Sequence, residues 1–218
     1  VTDTLNVAQA ATIAGETTGQ VDFSNAAGIT DSAAAMATAT AEGDVAAGTI
    51  TTAFSTATTA GAANGDGATA VTVNTAANVA QAGTIAQATT GQVDFAGGIA
   101  GNIDTMVAEG AVTAAFGFAT DGTGTDKGDG DVAVTVADAV TVADAAVVAG
   151  ATSGTLDFTT GISGLVATMA NAEGTVEADF ETVADRDTDI QVVVTDTLNV
   201  AQAATIAGET TGQVDFSN

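Results

Sequence analysis

VTDTLNVAQAATIAGETTGQVDFSN, residues 1–25, returns letter for letter at residues 194–218. The offset from Val1 to Val194 is 193 residues, and an unbroken match of this length means a recent duplication or an array held uniform. The 218 residues are then one full period and the opening of the next, with ends expected to be cuts in a longer array. A chain that repeats has to be read from its repeat before any fold is assigned.

The quoted stretch closes on Gln-Val-Asp-Phe, and that ending recurs in diverged form. TLNVAQAATIAGETTGQVDF ends at Phe23, TAANVAQAGTIAQATTGQVDF at Phe95 and AVTVADAAVVAGATSGTLDF at Phe158, before the first form returns at Phe216. The spacings are 72, 63 and 58 residues. Downstream, Gly-Ile recurs at Gly28-Ile29, Gly98-Ile99 and Gly161-Ile162, each followed seven residues after the Ile by a methionine: Met36, Met106 and Met169. A Gly then precedes a Phe by six residues in Gly48/Phe54, Gly110/Phe116 and Gly174/Phe180; Phe118 alone falls outside the scheme. Three diverged units, 1–72, 73–135 and 136–193, make one superunit, and 194–218 begins the next.

Composition fits a thin repeat better than a ball. Hydrophobic residues make up 46%, which argues against disorder, but only 4% are aromatic. Ala and Val fill the narrow space between close layers, where a globular core wants Leu and Phe. Glycine is frequent (26) and proline absent, as repeated tight turns between regular elements require. The balance of 27 acids to 2 bases gives a net charge of −25. No basic patch exists to displace counterions from phosphates, so nucleic acid is excluded as a partner, and anionic lipid is disfavoured for the same reason. Self-repulsion of this size is relieved by salt or divalent cations, which points to a saline or calcium-rich setting. Cysteine is absent, so disulfides are ruled out. No signal peptide or long apolar span is present, and membrane insertion is not expected.

Each unit is predicted as strand, helix, strand, helix, strand, loop. Asn6 and Asn78, each with Gln three residues later, and Thr141 with Asp144 read as helix N-caps. Strands follow at 20–23, 92–95 and 155–158, with Val21 and Phe23 inward and Asp22 outward. Ile162, Leu165, Val166 and Met169 sit at i, i+3, i+4 and i+7 and predict a second helix, repeated in Ile99, Ile103 and Met106 and in Ile29, Ala33 and Met36. Alternation then predicts strands through Val176, Ala178 and Phe180, through Val112, Ala114, Phe116 and Phe118, and through Ile50, Thr52 and Phe54. After an acidic loop come the β-branched runs 71–73, 132–136 and 190–194. Strands separated by helices favour parallel pairing, so the expected fold is an α/β repeat, a stacked β/α solenoid with parallel strands and short helices. The methionines belong to its core.

Histidine, cysteine, tyrosine and tryptophan are absent. That removes Ser-His-Asp and Cys-His arrangements, zinc sites with nitrogen or sulfur ligands, and aromatic stacking platforms. Carboxylates remain, and a carboxylate pair could cleave glycosides, though aromatic sugar platforms are missing. No catalytic residue and no organic cofactor is expected. The acidic loops are the candidate ligand sites. Counted back from Val73, Val136 and Val194, an Asp recurs seven residues earlier at Asp66, Asp129 and Asp187, with Asp131 and Asp189 five residues earlier in the later copies and Asp126 in the middle loop. Carboxylates alternating with Gly can aim several oxygens at one Ca²⁺ ion; the same residues also simply make good turns. The row Asp22, Asp94, Asp157 and Asp215 reads as the solvent side of an alternating strand.

The middle loop, DGTGTDKGDGD at 121–131, resembles the glycine/aspartate turns of RTX calcium-binding repeats, without their strict nonapeptide period. VTVADAVTVADAAVVAGATSGTLDF, ITDSAAAMATA and VTDTLNVAQAATIAG together resemble the Ala/Thr/Asp-rich tandem repeats of very large secreted bacterial surface proteins. That resemblance implies export, by a type I route, to the cell surface or the extracellular space. The expected function is a non-catalytic structural segment of an extracellular filament or surface fibre that self-associates with neighbouring repeats or copies. The alternatives are a calcium-binding adhesin stalk and a carbohydrate-active enzyme.

Overall fold

A computed structural model of the chain describes residues 3–23, 26–38, 48–59, 65–122 and 128–216. It is an α/β fold of mostly parallel sheets and short helices. In chain order the α-helices are α1 (Val7–Glu16), α2 (Ala33–Met36), α3 (Thr52–Thr58), α4 (Val79–Gln87), α5 (Ile103–Met106), α6 (Ala114–Thr120), α7 (Val142–Ala151), α8 (Ala178–Arg186) and α9 (Val200–Glu209).

Helices α1, α4 and α9 start where their capping boxes place them. The side chains of Asn6, Asn78 and Asn199 accept from the backbone N–H of Gln9, Gln81 and Gln202 at 2.8, 2.8 and 2.9 Å, and each Gln side chain accepts from the Asn N–H in return. Two orphan N–H groups are satisfied at each start, which offsets the modest propensity of these Ala/Thr sequences. In α7 Thr141 takes the capping role, accepting from Asp144 N at 3.2 Å.

Three parallel sheets follow one plan. Leu5 bridges Ile29–Asp31, which pairs with Val71–Val73, which pairs with Val93–Asp94. The second runs Ala77–Asn78, Ile99–Gly101, Val134–Val136, Leu156–Phe158. The third runs Val140–Thr141, Ile162–Gly164, Val192–Val194, Val214–Asp215. In each sheet the last strand comes from the following sequence copy. Val21 and Asp22, the counterparts of that last strand, lie in no sheet among the described residues. The strand expected at 71–73 is present at full length and those at 92–95, 155–158, 132–136 and 190–194 in shortened form, with Asp94 and Asp157 outward as expected, whereas residues 20–23 form no strand and Val21 is only half-buried.

Two further expected elements are corrected. The stripe through Ile162 is not one helix: Ile29, Ile99 and Ile162 begin strands, and only single turns follow, α2, α5 and the 3-10 turn Val166–Thr168. The glycine before each Ile has a left-handed backbone (φ 98°, 75° and 74° at Gly28, Gly98 and Gly161), which stops a helix from starting there. The ladder then captures the Ile N–H groups, which donate to Ala70, Ala133 and Gln191 carbonyls at 2.9, 2.9 and 2.8 Å. Leu165 is accordingly 54% exposed.

The second correction concerns the stretches around Phe54, Phe116 and Phe180, which are helices, not strands. Antiparallel pairing lasts only two residues, Ala37–Thr38 with Thr49–Ile50 and Val107–Ala108 with Ala111–Val112, and in the third copy is a bridge between Ala170 and Val176. Thr51 and Thr113 then cap α3 and α6 by accepting from the N–H of Phe54 and Phe116 at 3.2 and 3.4 Å. Phe54/Ala57/Thr58, Phe116/Ala119/Thr120 and Phe180/Val183/Ala184 are buried at i, i+3, i+4, the spacing of a helix face. Three methionines and the Phe54, Phe116 and Phe180 rings are fully buried, as a continuous core demands. Alanine and glycine let the layers close in: a Cβ on Gly83 of α4 would stand 2.8 Å from the Ala115 Cα.

Candidate functional site

The acidic turns are clasps on the fold. Asp66, Asp129 and Asp187 each accept, through one carboxylate oxygen, the backbone N–H of a distant phenylalanine: Phe23, Phe95 and Phe158, at 2.9, 2.9 and 2.8 Å. The second oxygen of Asp66 accepts from Ala68 N at 3.0 Å, and that of Asp129 from Asp131 N at 3.4 Å. A carboxylate that accepts two N–H groups closes its own turn and ties the strand-ending phenylalanine to it.

Asp131 and Asp189 are exposed and stand beside Asp129 and Asp187. Burial, reinforced by hydrogen bonding to Asp131, pushes the Asp129 carboxyl up to about 6 against the opposing pull of the Phe95 N–H. Burial likewise raises Asp187; the Phe158 N–H acts against it and Asp189 adds to the rise. Two carboxyls in contact share a proton or a cation more readily than either does alone. The second and third turns therefore gather two of the expected ligands each, the first gathers Asp66, and Asp126 lies outside the described residues. Among the described residues no three such groups converge. Six to eight oxygens are what calcium takes, and the neighbouring carbonyls of Gly130 and Val132 already accept from Thr152.

Those carbonyls belong to a second constellation, which sequence reasoning missed. The Thr-Thr-Gly or Thr-Ser-Gly before each closing strand grips the acidic turn of the preceding copy. Thr89 Oγ1 donates to Gly67 and Thr69 carbonyls at 3.0 Å each, Thr152 to Val132 at 2.8 Å, and Thr210 to Ile190 at 2.7 Å. The N–H groups of Thr90, Ser153 and Thr211 donate to Gly67, Gly130 and Thr188 at 2.7, 2.8 and 2.8 Å. The glycine is required by this approach: a Cβ on Gly91, Gly154 or Gly212 would fall 2.0, 2.2 or 2.2 Å from a carbonyl oxygen of that turn. The signal was the invariance of the third residue across four copies, which sequence reasoning took as turn punctuation.

A third set lies two residues after each Val-Thr-Val or Val-Val-Val strand. Thr75, Asp138 and Asp196 accept the first helical N–H of Ala33, Ile103 and Val166 at 3.0, 2.7 and 2.6 Å. One exchange between copies also shows the turns as structural parts. Gln20 and Gln92 donate to the carbonyls of Gly65 and Gly128, the residue before the clasping Asp. In the third copy Thr155 replaces that Gln and Arg186 replaces the Gly, and the guanidinium reaches back to the Ala149 and Gly154 carbonyls.

Open grooves lie among the described residues, one of about 330 Å³ between Val142, Thr168 and Glu177, and one of about 430 Å³ along Leu5 and Gln9, Thr12 and Ile13 of α1. Among the described residues no helix is long and apolar enough to cross a membrane. Set against models of protein families, curated proteins and solved structures, the chain matches none.

Proposed function

We propose that this chain is a non-catalytic structural segment of an extracellular filament or cell-surface fibre, built as a stacked β/α solenoid with three diverged units per 193-residue superunit. One observation carries the reading: each parallel sheet takes its last strand from the following copy, so no copy completes its own sheet. A unit with that property grows by addition, as solenoid repeats do. The clasps fit the role, since they spend the acidic side chains on holding successive turns in register. The net charge of −25 leaves an exterior that resists lateral clumping. Electron micrographs of native material are expected to show an axial repeat tied to the 193-residue period. Isolated globular particles would reject the reading.

A calcium-binding adhesin stalk is the second reading, favoured by the contacts of Asp129 with Asp131 and Asp187 with Asp189. Calcium at millimolar concentration is then expected to raise the melting midpoint, because a ligand that binds only the native state stabilises it. An unchanged midpoint removes the cation.

A further inference from the structure

At each joint between copies, the first helix of the later copy lies over the hairpin of the copy before it. Helix α4 does so at the first joint, α7 at the second and α9 at the third. Asn78, Thr141 and Asn199 are equivalent in these helices, as are Gln81, Asp144 and Gln202, and Thr84, Val147 and Thr205.

The first and third joints fasten the helix to the hairpin. Gln81 Nε2 donates to Ala37 O at 2.9 Å, and Gln202 Nε2 to Ala170 O at 3.3 Å. Asn199 Nδ2 adds a bond to Ala172 O at 3.1 Å, and Thr205 Oγ1 one to Gly174 O. The hairpin glycine presses on the helix at both. A Cβ on Gly48 would stand 3.2 Å from Ala80 O, and one on Gly174 would stand 2.9 Å from Ala201 Cβ.

The second joint makes none of these fastenings. Asp144 is a carboxylate with no proton to give a carbonyl, and it accepts from Thr141 Oγ1 at 2.8 Å instead. Val147 has no polar side-chain atom. A Cβ on Gly110 would meet nothing within 4 Å. Ala143 is exposed where its equivalent Ala80 is buried, and Asp144 is only half-buried where Gln81 and Gln202 are buried. Yet the ladder side of the same joint is complete. Leu156–Phe158 pairs with Val134–Val136, and Thr152 and Ser153 grip the turn at Gly130 and Val132 as their counterparts do elsewhere.

We propose that the second joint is a hinge built into the fold. The parallel ladder is its fixed edge, and α7 swings with its copy away from the hairpin of residues 107–112. A joint bonded along one edge and merely touching along the other bends about the bonded edge. The first two copies move as one body, and the third moves with the residues that follow it. In an array the bend recurs once per 193 residues, so the fibre flexes at regular stations between stiff segments. That recurrence rests on the filament reading. The hinge does not, and it is measured on this chain alone, so the two fail separately.

The chain has no cysteine, so pairs of spin labels can be placed at chosen positions. Ala108→Cys with Gly150→Cys spans the second joint, and Ala172→Cys with Gly208→Cys spans the third, all at exposed sites. Pulsed electron resonance on the full chain is expected to give a broad distance distribution for the first pair and a single narrow one for the second. Giving α7 the fastening residues of α9 (Thr141→Asn, Asp144→Gln and Val147→Thr) is expected to narrow the first distribution. The converse exchange, Gln202→Asp with Thr205→Val, is expected to broaden the second. Equal widths across the two unaltered joints overturn the hinge. So does a third joint that stays narrow after the converse exchange, or a second joint whose spread survives the triple substitution.

Discussion

Residues 3–23 and 196–216 are the same sequence, cap their helices in the same way, and bury opposite faces. Val7 is 2% exposed and Val200 is 87% exposed, because the residues that follow Val7 fold over it and Val200 has no such cover. Gln9 is exposed while Gln202 is buried under the preceding copy. Leu5, Ala10, Ala14 and Phe23 are buried on one side of the first segment; Ile206 and Thr210 are buried on the other side of the second. With the sequence held constant, the difference is the neighbour alone. The interior counterpart, α4, has both neighbours, and Val79, Gln81, Ile85 and Thr89 are all buried. The segment is thus a two-faced spacer, buried on one side by the residues that follow it in its own copy and on the other by the copy before it.

Four measurements break or sharpen that contrast. The largest effect belongs to the phenylalanines. Phe23→Ala empties a fully buried site and is expected to destabilise the chain by about 3–5 kcal/mol, against about 1 kcal/mol for Phe216→Ala at its half-buried twin. Equal losses in denaturant melts would end the comparison. Next come the glycines. Gly154→Ala pushes a methyl to 2.2 Å from the Asp131 and Val132 oxygens and is expected to cost about 3 kcal/mol, while Gly19→Ala stays within about 0.5 kcal/mol.

Acidity should separate the two segments more gently. The folded chain binds a proton on Asp129 up to about pH 6, where an unfolded aspartate has lost it above its ordinary value of 3.8. Stability from this group is therefore greatest below that window and falls as pH rises through it. Asp187, raised in the same direction, lies in the turn that seats Thr210–Gly212. Lowering the pH from 7 to about 4.5 is expected to raise the melting midpoint and to protect the amides of 211–213 from exchange more than those of 18–20. Asp131→Asn and Asp189→Asn are expected to flatten the dependence.

The smallest effect isolates one hydrogen bond. Gln9→Ala and Gln202→Ala each delete a capping box, but only the second also deletes the bond to Ala170 O. Their difference is expected to be about 1 kcal/mol by chemical denaturation.

How far the fold was legible depended on how local its cause was. Asn6 with Gln9 and Asn78 with Gln81 announce helices because cap and partner lie three residues apart. Val71–Val73 and Val134–Val136 announce strands because β-branched runs suit little else. The stretches around Phe54 and Phe116 misled because alanine suits both periods, and Thr51 and Thr113 decide the outcome only through a cap on the following turn. Asp66, Asp129 and Asp187 stand out in the sequence by their fixed distance from the valine strands, yet the phenylalanine N–H groups they hold lie 43, 34 and 29 residues away, beyond any local pattern. The pairing of each closing strand with the copy before it was illegible for the same reason.

The short antiparallel hairpins carry a practical consequence. Between their paired residues the middle copy places two residues, Glu109 and Gly110, and the third places 171–175. Although these tips differ so much in length, the parallel ladders on either side keep one register. An insertion at Glu109-Gly110, where residues 108–111 are all exposed, would leave the frame untouched. An epitope or affinity handle grafted there would be displayed once per period along any assembly, which makes the hairpin tip the natural address for cargo.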